Sequence, residues 1–255
     1  MLLPPPLSVR RGVPFYHAKS EAEVSLDVYE RYDSLVTRQT ALHLCDQLHG
    51  GYPFQPLLNF VTAALPAGDG LTVVDLGCSV GRLAGELARA NPTWTVYGVD
   101  LSYQMLRQAT DVWVRGQATN PNLTGCGWGV PELAVYRLPN VHFALARAGD
   151  LPFPDHSLDV VINTFLIDRL PDPLAAFAEW ARVLKPGGRV ISASPLNFLS
   201  RGGWIDFHPP VRLLHTLQQR GWEVADWLDP LELFEPLDAR GNAVRWRTIA
   251  MVLTR

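Results

Sequence analysis

The sequence predicts an α/β protein built on a doubly wound, mostly parallel β-sheet. The alternation of two kinds of segment supports this fold class. Between residues 71 and 194, short apolar runs of strand length alternate with longer segments whose apolar residues recur at helical spacing. A chain that alternates in this way must cross over through a helix before the next strand can run in the same direction. We therefore expect parallel strands with helices on both faces of the sheet.

Seven strands are predicted, most of them continuous apolar runs, as expected of strands that helices cover on both faces. These strands are residues 71–77, 95–102, 140–150, 158–167, 188–194, 222–229 and 248–255. The helices between them are residues 81–90, 103–114, 173–184 and 210–221. The last two strands follow one another without a helix, so we expect an antiparallel edge strand on the sheet.

The residues before the first strand are predicted to form an extended arm followed by a helical cap. Residues 1–20 contain three consecutive prolines, Pro4 to Pro6, and show no clear period, which indicates an extended arm. Residues 21–66 carry apolar side chains at helical spacing, with a break at Gly50 and Gly51. Tyr16, Tyr29 and Tyr32 would cover the strand ends, although a packing cap without ligand contact is the alternative.

Residues 67–255 are predicted to form the main, ligand-binding domain. The connection at 115–139 is longer than two neighbouring elements need. Loops of this length often have a function, so we expect a lid or a contact in a homodimer.

Composition restricts the class of protein. A formal net charge of −3 gives no overall positive field for a nucleic-acid backbone, so no nucleic-acid partner is expected. The three cysteines are far apart in the sequence and form no CxxC pair, which favours a reduced, cytoplasmic compartment. No apolar run approaches the roughly 18 residues that a membrane span needs. We therefore expect a cytoplasmic protein without a membrane span.

The turn after the first strand is the strongest functional signal. In VVDLGCSVGR (73–82), Asp75 lies at the end of the strand, and Gly77 and Gly81 frame the turn into the next helix. Ligands of parallel sheets bind at the carboxyl ends of the strands, where a helix N-terminus offers free N–H groups. The alternative is that the two glycines only permit a tight turn.

A second acid narrows the choice of ligand. Asp100 closes the second strand roughly 20 residues after the turn, where a carboxylate would meet ribose hydroxyls. An N-cap role for Asp100 is the alternative, but Ser102 is the better cap for the following helix. The turn reads GCSVG (77–81) and lacks the GxGxxG pattern of dinucleotide sites. This favours a cofactor that has an adenosine but no diphosphate.

These motifs resemble those of the class I methyltransferases that use S-adenosylmethionine (SAM), particularly the small-molecule type that includes ubiquinone and menaquinone methylases. VVDLGCSVGR resembles the first family motif and GVDLS (98–102) the second. AGDLPFPDHSLDVV (148–161) resembles the third, and LKPGGRVI (184–191) the last. The resemblance covers about residues 55 to 195. It implies a Rossmann-like sheet, SAM as cofactor and S-adenosylhomocysteine as product.

The resemblance also implies roles for individual residues. Asp100 would hold the ribose, and Met105 would pack on the adenine. Asp150 would meet the adenine amino group, with Leu151 as its backbone neighbour, and Asn163 and Thr164 would meet the sulfonium end. The full predicted set of cofactor-binding residues is Asp75, Gly77, Cys78, Ser79, Gly81, Asp100, Leu101, Met105, Asp150, Leu151, Asn163 and Thr164.

The sequence departs from the family pattern at two places. Ser79 stands where the family usually has glycine, which would weaken cofactor binding if the position requires a positive φ. Asp168 follows the fourth strand, where the family often has a histidine pair. It is a candidate base or amine clamp, although a structural role beside Arg169 is the alternative. His208, in a segment expected to be a loop on the ligand-binding side, is the second catalytic candidate.

Methyl transfer from a sulfonium is an in-line displacement that needs mainly proximity and alignment. A base is required only when the acceptor carries a proton at neutral pH. We therefore expect SAM-dependent methylation of a small molecule at O, N or C. The alternatives are a non-catalytic SAM- or nucleoside-binding protein, a partner subunit of a methyltransferase, and a nicotinamide oxidoreductase. The histidine spacing suggests no metal site.

Overall fold

The computed structural model describes residues 2–26 and 33–255, and a mixed nine-stranded sheet runs through these residues. The strands are β1 (Ser8–Arg10), β2 (Val13–Phe15), β3 (Thr72–Leu76), β4 (Thr95–Asp100), β5 (Val141–Leu145), β6 (Leu158–Thr164), β7 (Leu184–Ser194), β8 (Glu223–Pro236) and β9 (Ala243–Thr254). Their order across the sheet is β1-β2-β5-β4-β3-β6-β7-β9-β8.

The central strands are parallel, as predicted. β3 pairs in parallel with β4 on one side and β6 on the other, and the parallel pairing continues to β5 and β7. β9 runs antiparallel to both β7 and β8, so the predicted antiparallel edge is confirmed. Because the chain leaves β3 towards β4 and returns to β6 on the other side, the order reverses beside β3. Ligands bind at such a reversal in open α/β sheets.

The predicted number of seven strands is wrong, because the expected N-terminal arm contains two further strands. β1 and β2 form an antiparallel hairpin, and Phe15 of β2 pairs in parallel with Leu145 of β5. Val13 is fully buried, and this burial attaches the hairpin to the core. Two strands of three residues each are too short to show a period of two in the sequence.

Eight helices of the described residues surround the sheet. They are α1 (Glu21–Leu26), α2 (Asp33–Leu44), α3 (Gln55–Ala64), α4 (Arg82–Ala90), α5 (Tyr103–Thr110), α6 (Pro173–Val183), α7 (Arg201–Phe207) and α8 (Val211–Gln219). α5 continues into a π-helical turn, Asp111–Arg115. The predicted pocket residues Tyr29 and Tyr32 lie outside the described residues. Nowhere in 2–26 and 33–255 does a helix combine the length and apolar character of a membrane span.

The two faces of the sheet carry separate cores. Helices α2 to α5 pack on one face and α6 to α8 on the other. Each core contains a buried tryptophan whose indole N–H donates to a backbone carbonyl: Trp113 to Val80 at 3.1 Å, and Trp180 to Ala148 at 2.8 Å. Burying an aromatic side chain of this size stabilises a fold by roughly 1.5–3 kcal/mol, and the N–H bond avoids the cost of an unpaired donor.

The long connection at 115–139 packs against the face that carries α2 to α5. Leu123 and Leu133 are buried in that core, and the ring of Tyr136 stacks on Trp113 with centroids 4.7 Å apart. Trp128 contacts His49 edge to face at 5.3 Å. The connection is therefore held by its own apolar side chains, as in other long loops that keep a fixed shape.

A substitution at Gly85 in α4 tests the packing of this helix against Trp113. Replacing a glycine in a helix interior by alanine normally stabilises the helix by about 1 kcal/mol. A Cβ at Gly85, however, would lie 2.2 Å from the Trp113 ring. We expect Gly85→Ala to lower the free energy of unfolding by about 1–3 kcal/mol through overpacking.

Urea denaturation measures this change. Gly149→Ala is the control, since a Cβ at Gly149 meets no heavy atom within 4 Å. A Gly85→Ala variant as stable as the wild type would show that α4 and Trp113 do not pack as described.

Candidate functional site

The loop after β3 has the geometry of a ligand-binding turn. Gly77 N–H and Cys78 N–H both donate to Val99 O of β4, at 2.8 and 3.1 Å, and Gly81 N–H donates to Cys78 O at 2.8 Å. Gly77 and Gly81 have φ values of 70° and 78°, which glycine adopts without strain. A Cβ at Gly81 would lie 2.6 Å from Phe143, so this position also excludes a side chain.

Asp100 joins this loop to the start of α5. Its Oδ2 accepts a hydrogen bond from Ser79 N–H at 2.9 Å, and its Oδ1 accepts one from Ser102 N–H at 2.7 Å. Ser102 is the N-cap of α5, as predicted, since its hydroxyl oxygen accepts from Met105 N–H. The carboxylate at the end of β4 therefore fixes two backbone segments from different parts of the site.

Ser79 adopts a φ of 50°, a left-handed conformation that glycine adopts more easily than serine. A non-glycine residue costs roughly 1–2 kcal/mol in this region. The Ser79 N–H bond to Asp100 offsets part of this cost, and Ser79 Oγ lies 3.6 Å from Met105 Sδ. Met105 is buried beneath the loop. The serine is thus accommodated, with backbone strain at the centre of the loop.

Two buried polar atoms at the strand ends have no hydrogen-bond partner within the described residues: Asp75 Oδ1 on β3 and Asn163 Nδ2 on β6. Burial raises the pKa of Asp75 to about 8, although a backbone hydrogen bond from Ala84 acts in the opposite direction. Asn163 Oδ1 accepts a hydrogen bond from the Ser192 hydroxyl at 2.8 Å, which leaves its Nδ2 as the unpaired donor. An unpaired buried polar group costs about 1–3 kcal/mol, so these two atoms are suited to a polar ligand.

The predicted adenine residues lie beyond the end of β5. Asp150 is exposed, and Leu151 is buried with its N–H donating to Glu179 Oε1 at 2.7 Å. Arg147 lies nearer the strand end, where its guanidinium pairs with Glu23 of α1 and donates to His17 Nε2 at 3.1 Å. The N-terminal segment is therefore fastened over the end of β5.

The predicted cofactor residues differ in exposure. Asp150 is exposed. Five residues are half-buried: Gly77, Ser79, Asp100, Leu101 and Thr164. The other six are buried: Asp75, Cys78, Gly81, Met105, Leu151 and Asn163. All except Asp150 and Leu151 lie at the ends of β3, β4 and β6 or in the segments that directly follow β3 and β4.

The two catalytic candidates have different surroundings. The Asp168 side chain is buried, its Oδ2 accepts from Asn197 N–H at 2.9 Å, and its Oδ1 lies 3.9 Å from Arg169 Nε. Burial raises the pKa of Asp168. His208 is exposed and packs against Trp204 with ring centroids 5.2 Å apart. The predicted loop around His208 is largely helix α7, which begins at Arg201 and ends just before this histidine.

Sequence reasoning missed an aromatic contact between the cap and the end of β6. Phe54, just before α3, stacks on Phe165, just after β6, with centroids 5.6 Å apart and an interplanar angle of 15°. Trp246 of β9 contacts Phe165 edge to face at 5.5 Å. Phe165 has a φ of 55°, which is rare for a bulky residue and often found near functional sites. A contact between positions so far apart in the chain leaves no periodic signal.

A second missed group holds the cap against α4. Arg82, the first residue of α4, forms two hydrogen bonds to the Asp46 carboxylate at 2.7 and 2.9 Å. Its guanidinium also lies over the ring of Tyr52, 4.3 Å from the centroid. The Tyr52 hydroxyl lies 2.9 Å from His43 Nδ1, and His43 Nε2 lies 3.2 Å from Gln39 Oε1. The cap therefore contacts the helix that follows the glycine loop.

Cysteine and metal chemistry add little to this site. The three cysteines are free. Over residues 2–26 and 33–255, no three His, Cys, Asp or Glu side chains are grouped as metal ligands.

The raised pKa of Asp75 predicts a pH dependence of stability in the absence of ligand. Between about pH 4 and pH 8 the folded state holds a proton that the unfolded state releases, so this contribution to stability is complete below about pH 4 and is lost as the pH rises to about 8. We expect the urea midpoint of the wild type to fall relative to Asp75→Asn as the pH is raised from 5 to 8.

Asp69→Asn, at an exposed acid before β3, controls for the loss of one charge. A stability difference between the wild type and Asp75→Asn that does not vary with pH would contradict the raised pKa of Asp75. It would mean that the carboxyl group is ionised over the whole range from pH 5 to pH 8.

Comparisons with known proteins agree with this geometry. Residues 74–192 match a family described as a methyltransferase domain. The chain is 32% identical over 136 residues to a malonyl-[acyl-carrier protein] O-methyltransferase of a Marinomonas species, covering 53% of this chain and 42% of the relative. It is 31% identical over 133 residues to a ubiquinone/menaquinone biosynthesis C-methyltransferase of Burkholderia orbicola, covering 52% of this chain and 46% of the relative. The chain thus spans less than half the length of these relatives.

A solved structure shows the same fold. The SAM-dependent methyltransferase from Mesorhizobium loti superimposes with a TM-score of 0.53 over 82% of this chain and all of that chain, at 19% sequence identity. The segment that matches the methyltransferase domain, residues 74–192, contains the glycine loop, Asp100 and the end of β6. This part of the chain is therefore similar to methyltransferases in sequence and in fold.

Proposed function

We propose that the protein transfers a methyl group from SAM to a small-molecule acceptor, at O, N or C, by in-line displacement. The observation that supports this most directly is the pair of hydrogen bonds to Asp100, which fixes the loop after β3 beside the end of β4. SAM supplies an electrophilic methyl group on a sulfonium, so the protein contributes mainly alignment and exclusion of water.

Asp100 is the proposed ribose ligand. An ionised carboxylate only accepts hydrogen bonds, so it suits the hydroxyl donors of a ribose. The backbone N–H groups of Ser79 and Ser102 hold the Asp100 carboxylate at the end of β4, beside the loop. Leu101 and Met105, which follow in the chain, would border the adenosine. Asp150 would reach the adenine amino group only if its exposed loop folds back over the cofactor.

Asp75 and Asn163 are the proposed ligands for the amino-acid end of SAM. The unpaired Asp75 Oδ1 is an acceptor and suits the ammonium, whereas the unpaired Asn163 Nδ2 is a donor and suits the carboxylate. Thr164, the last residue of β6, is half-buried beside Asn163. A zwitterion would satisfy both buried atoms, which an uncharged apolar ligand would not.

The aromatic group formed by Phe54, Phe165 and Trp246 is proposed to keep water from the reacting end. Asp168 would act as a positioning residue, because its burial and its bond to Asn197 N–H engage it with the segment after β7. His208 stays the candidate general base for an acceptor that carries a proton.

The acceptor is proposed only as a class. The two relatives are named as an O-methyltransferase and a C-methyltransferase. The net charge of −3 offers no overall attraction for nucleic acid, which supports a small molecule. We also propose that two copies of the chain form a homodimer through the 115–139 connection. Measuring the molecular mass in solution tests this proposal.

Replacing Asp100 by alanine tests the ribose assignment. We expect the free energy of SAM binding, measured by calorimetry, to weaken by about 1–3 kcal/mol, because charge-assisted hydrogen bonds to the ribose are lost. Asp69→Ala is the control, since this acid is exposed and precedes β3. Unchanged affinity in a folded Asp100→Ala protein would refute the assignment.

The activity itself requires a separate measurement. The protein is titrated with SAM, S-adenosylhomocysteine and NAD, and then incubated with methyl-labelled SAM and a metabolite extract. We expect binding of both adenosyl ligands and transfer of the label to an extract component. Failure of both adenosyl ligands to bind would contradict the proposal. Binding without transfer to any acceptor would favour a non-catalytic SAM-binding protein or a partner subunit.

A further inference from the structure

Several arginines lie beside one face of helix α5, and the proposed function does not use them. Four residues at four-residue spacing share this face of α5 and its π-helical turn: Tyr103, Arg107, Asp111 and Arg115. The hairpin of β1 and β2 and the end of the 115–139 connection bring three further arginines to it. We call the five basic residues the arginine stripe: Arg10, Arg11, Arg107, Arg115 and Arg137.

Contacts of Arg10 and Arg11 attach the hairpin to both ends of this face. The Arg10 guanidinium lies over the Tyr103 ring, 4.2 Å from its centroid, at the start of α5. The Arg115 guanidinium, at the end of the π-helical turn, donates a hydrogen bond to Arg11 O. The hairpin therefore lies alongside the helix between Tyr103 and Arg115.

Most of the positive charge of the arginine stripe has no acidic partner. Arg137 lies beside the end of the helix, where its Nε donates to Arg115 O at 3.3 Å. Arg115 is paired with Asp111, since its Nη1 lies 2.9 Å from Asp111 Oδ1. The other four arginines of the stripe form no ion pair within residues 2–26 and 33–255. Neighbouring side chains therefore leave their charge uncompensated.

The arginine stripe contrasts with the rest of the chain, whose formal net charge is −3. The stripe and Asp111 contain five of the 22 Lys and Arg residues and one of the 25 Asp and Glu residues, so the remaining residues are more acidic than the whole chain. Like charges that are held together repel one another, so the stability of the fold does not explain the stripe. An anionic partner would offset this repulsion.

The dimensions of the arginine stripe indicate an extended anion. The helix from Tyr103 to Arg115 is about 18 Å long, and Arg10 and Arg11 are attached to its two ends. Arg10, Arg11 and Arg137 are exposed, so they form a surface rather than an enclosed pocket. A single phosphate or carboxylate would contact only part of this surface.

An acidic helix matches these dimensions. Side chains four residues apart on a helix are about 5–6 Å apart, so about three turns of a helix with acidic residues at this spacing would extend over the stripe. Nucleic acid and an anionic membrane are larger than the stripe, and they would also approach the acidic remainder of the chain, which repels them. Carboxylates are suited to the forked donors of arginine, with which they form paired hydrogen bonds.

We propose that the arginine stripe is a docking surface for an acidic helix of a partner protein. Docking of this kind requires neither SAM nor a methyl acceptor, so it can fail while the proposed function holds, and the reverse. Because exposed charges are screened by salt, binding at the stripe weakens as the ionic strength rises.

The probe is a fluorescein-labelled, alanine-based helical peptide that carries glutamate at every fourth position, and its binding is measured by fluorescence anisotropy. We expect the wild type to bind it and Arg11→Gln with Arg107→Gln to bind it about tenfold more weakly, because two of the unpaired cations are lost. Raising the salt concentration from about 0.05 M to about 0.5 M should weaken wild-type binding by at least about tenfold. The matched control is Arg201→Gln with Arg220→Gln, which removes two exposed arginines in α7 and directly after α8 and should retain the wild-type affinity.

Both double variants carry the same net charge, so a loss confined to Arg11→Gln with Arg107→Gln locates the peptide on the arginine stripe. An equal loss in the control, or no binding of the peptide by the wild type, would overturn the proposal. So would a preference for duplex DNA or for phosphatidylglycerol vesicles over the peptide that depends on the same two arginines. Sedimentation velocity addresses a second copy as the occupant: self-association that Arg11→Gln with Arg107→Gln abolishes would assign the stripe to a contact between copies of this chain and overturn the proposal as well.

Discussion

The carboxylate of Asp100 links the parts of the site that the fold brings together. One oxygen accepts from the N–H of Ser79 in the loop after β3, and the other accepts from the N–H of Ser102 at the start of α5. Hydrogen bonds to a charged group contribute about 1.5–3 kcal/mol each. They hold Ser79 in a left-handed conformation that serine does not favour. The loop, the strand end and the helix start are consequently positioned as one unit.

The N-terminal cap completes this unit from the other side. Arg82 connects it to α4 through Asp46 and Tyr52, and the stacking of Phe54 on Phe165 connects it to β6. Both contacts fall beside the strand where the sheet order reverses, which is where α/β folds bind ligands. The cap therefore lies against α4 and the end of β6, and in the proposed function it would cover the side from which a methyl acceptor approaches.

Much of this architecture could be predicted from the sequence, because buried parallel strands and their crossover helices leave long, regular apolar patterns. The glycine loop and Asp100 were identifiable for the same reason, since their spacing follows from strand and helix lengths. The hairpin Ser8–Phe15 was missed because each of its strands is three residues long. The contacts of Tyr52 and Phe165 join distant positions, and only the folded chain reveals them.

Hydrogen exchange with and without S-adenosylhomocysteine tests the central claim most directly, because it locates the ligand along the backbone. The account predicts slower exchange in the loop Gly77–Gly81 and around Asp100–Ser102, the two segments that the Asp100 carboxylate joins. Protection that is absent from both segments, or confined to other parts of the chain such as the 115–139 connection, would contradict it.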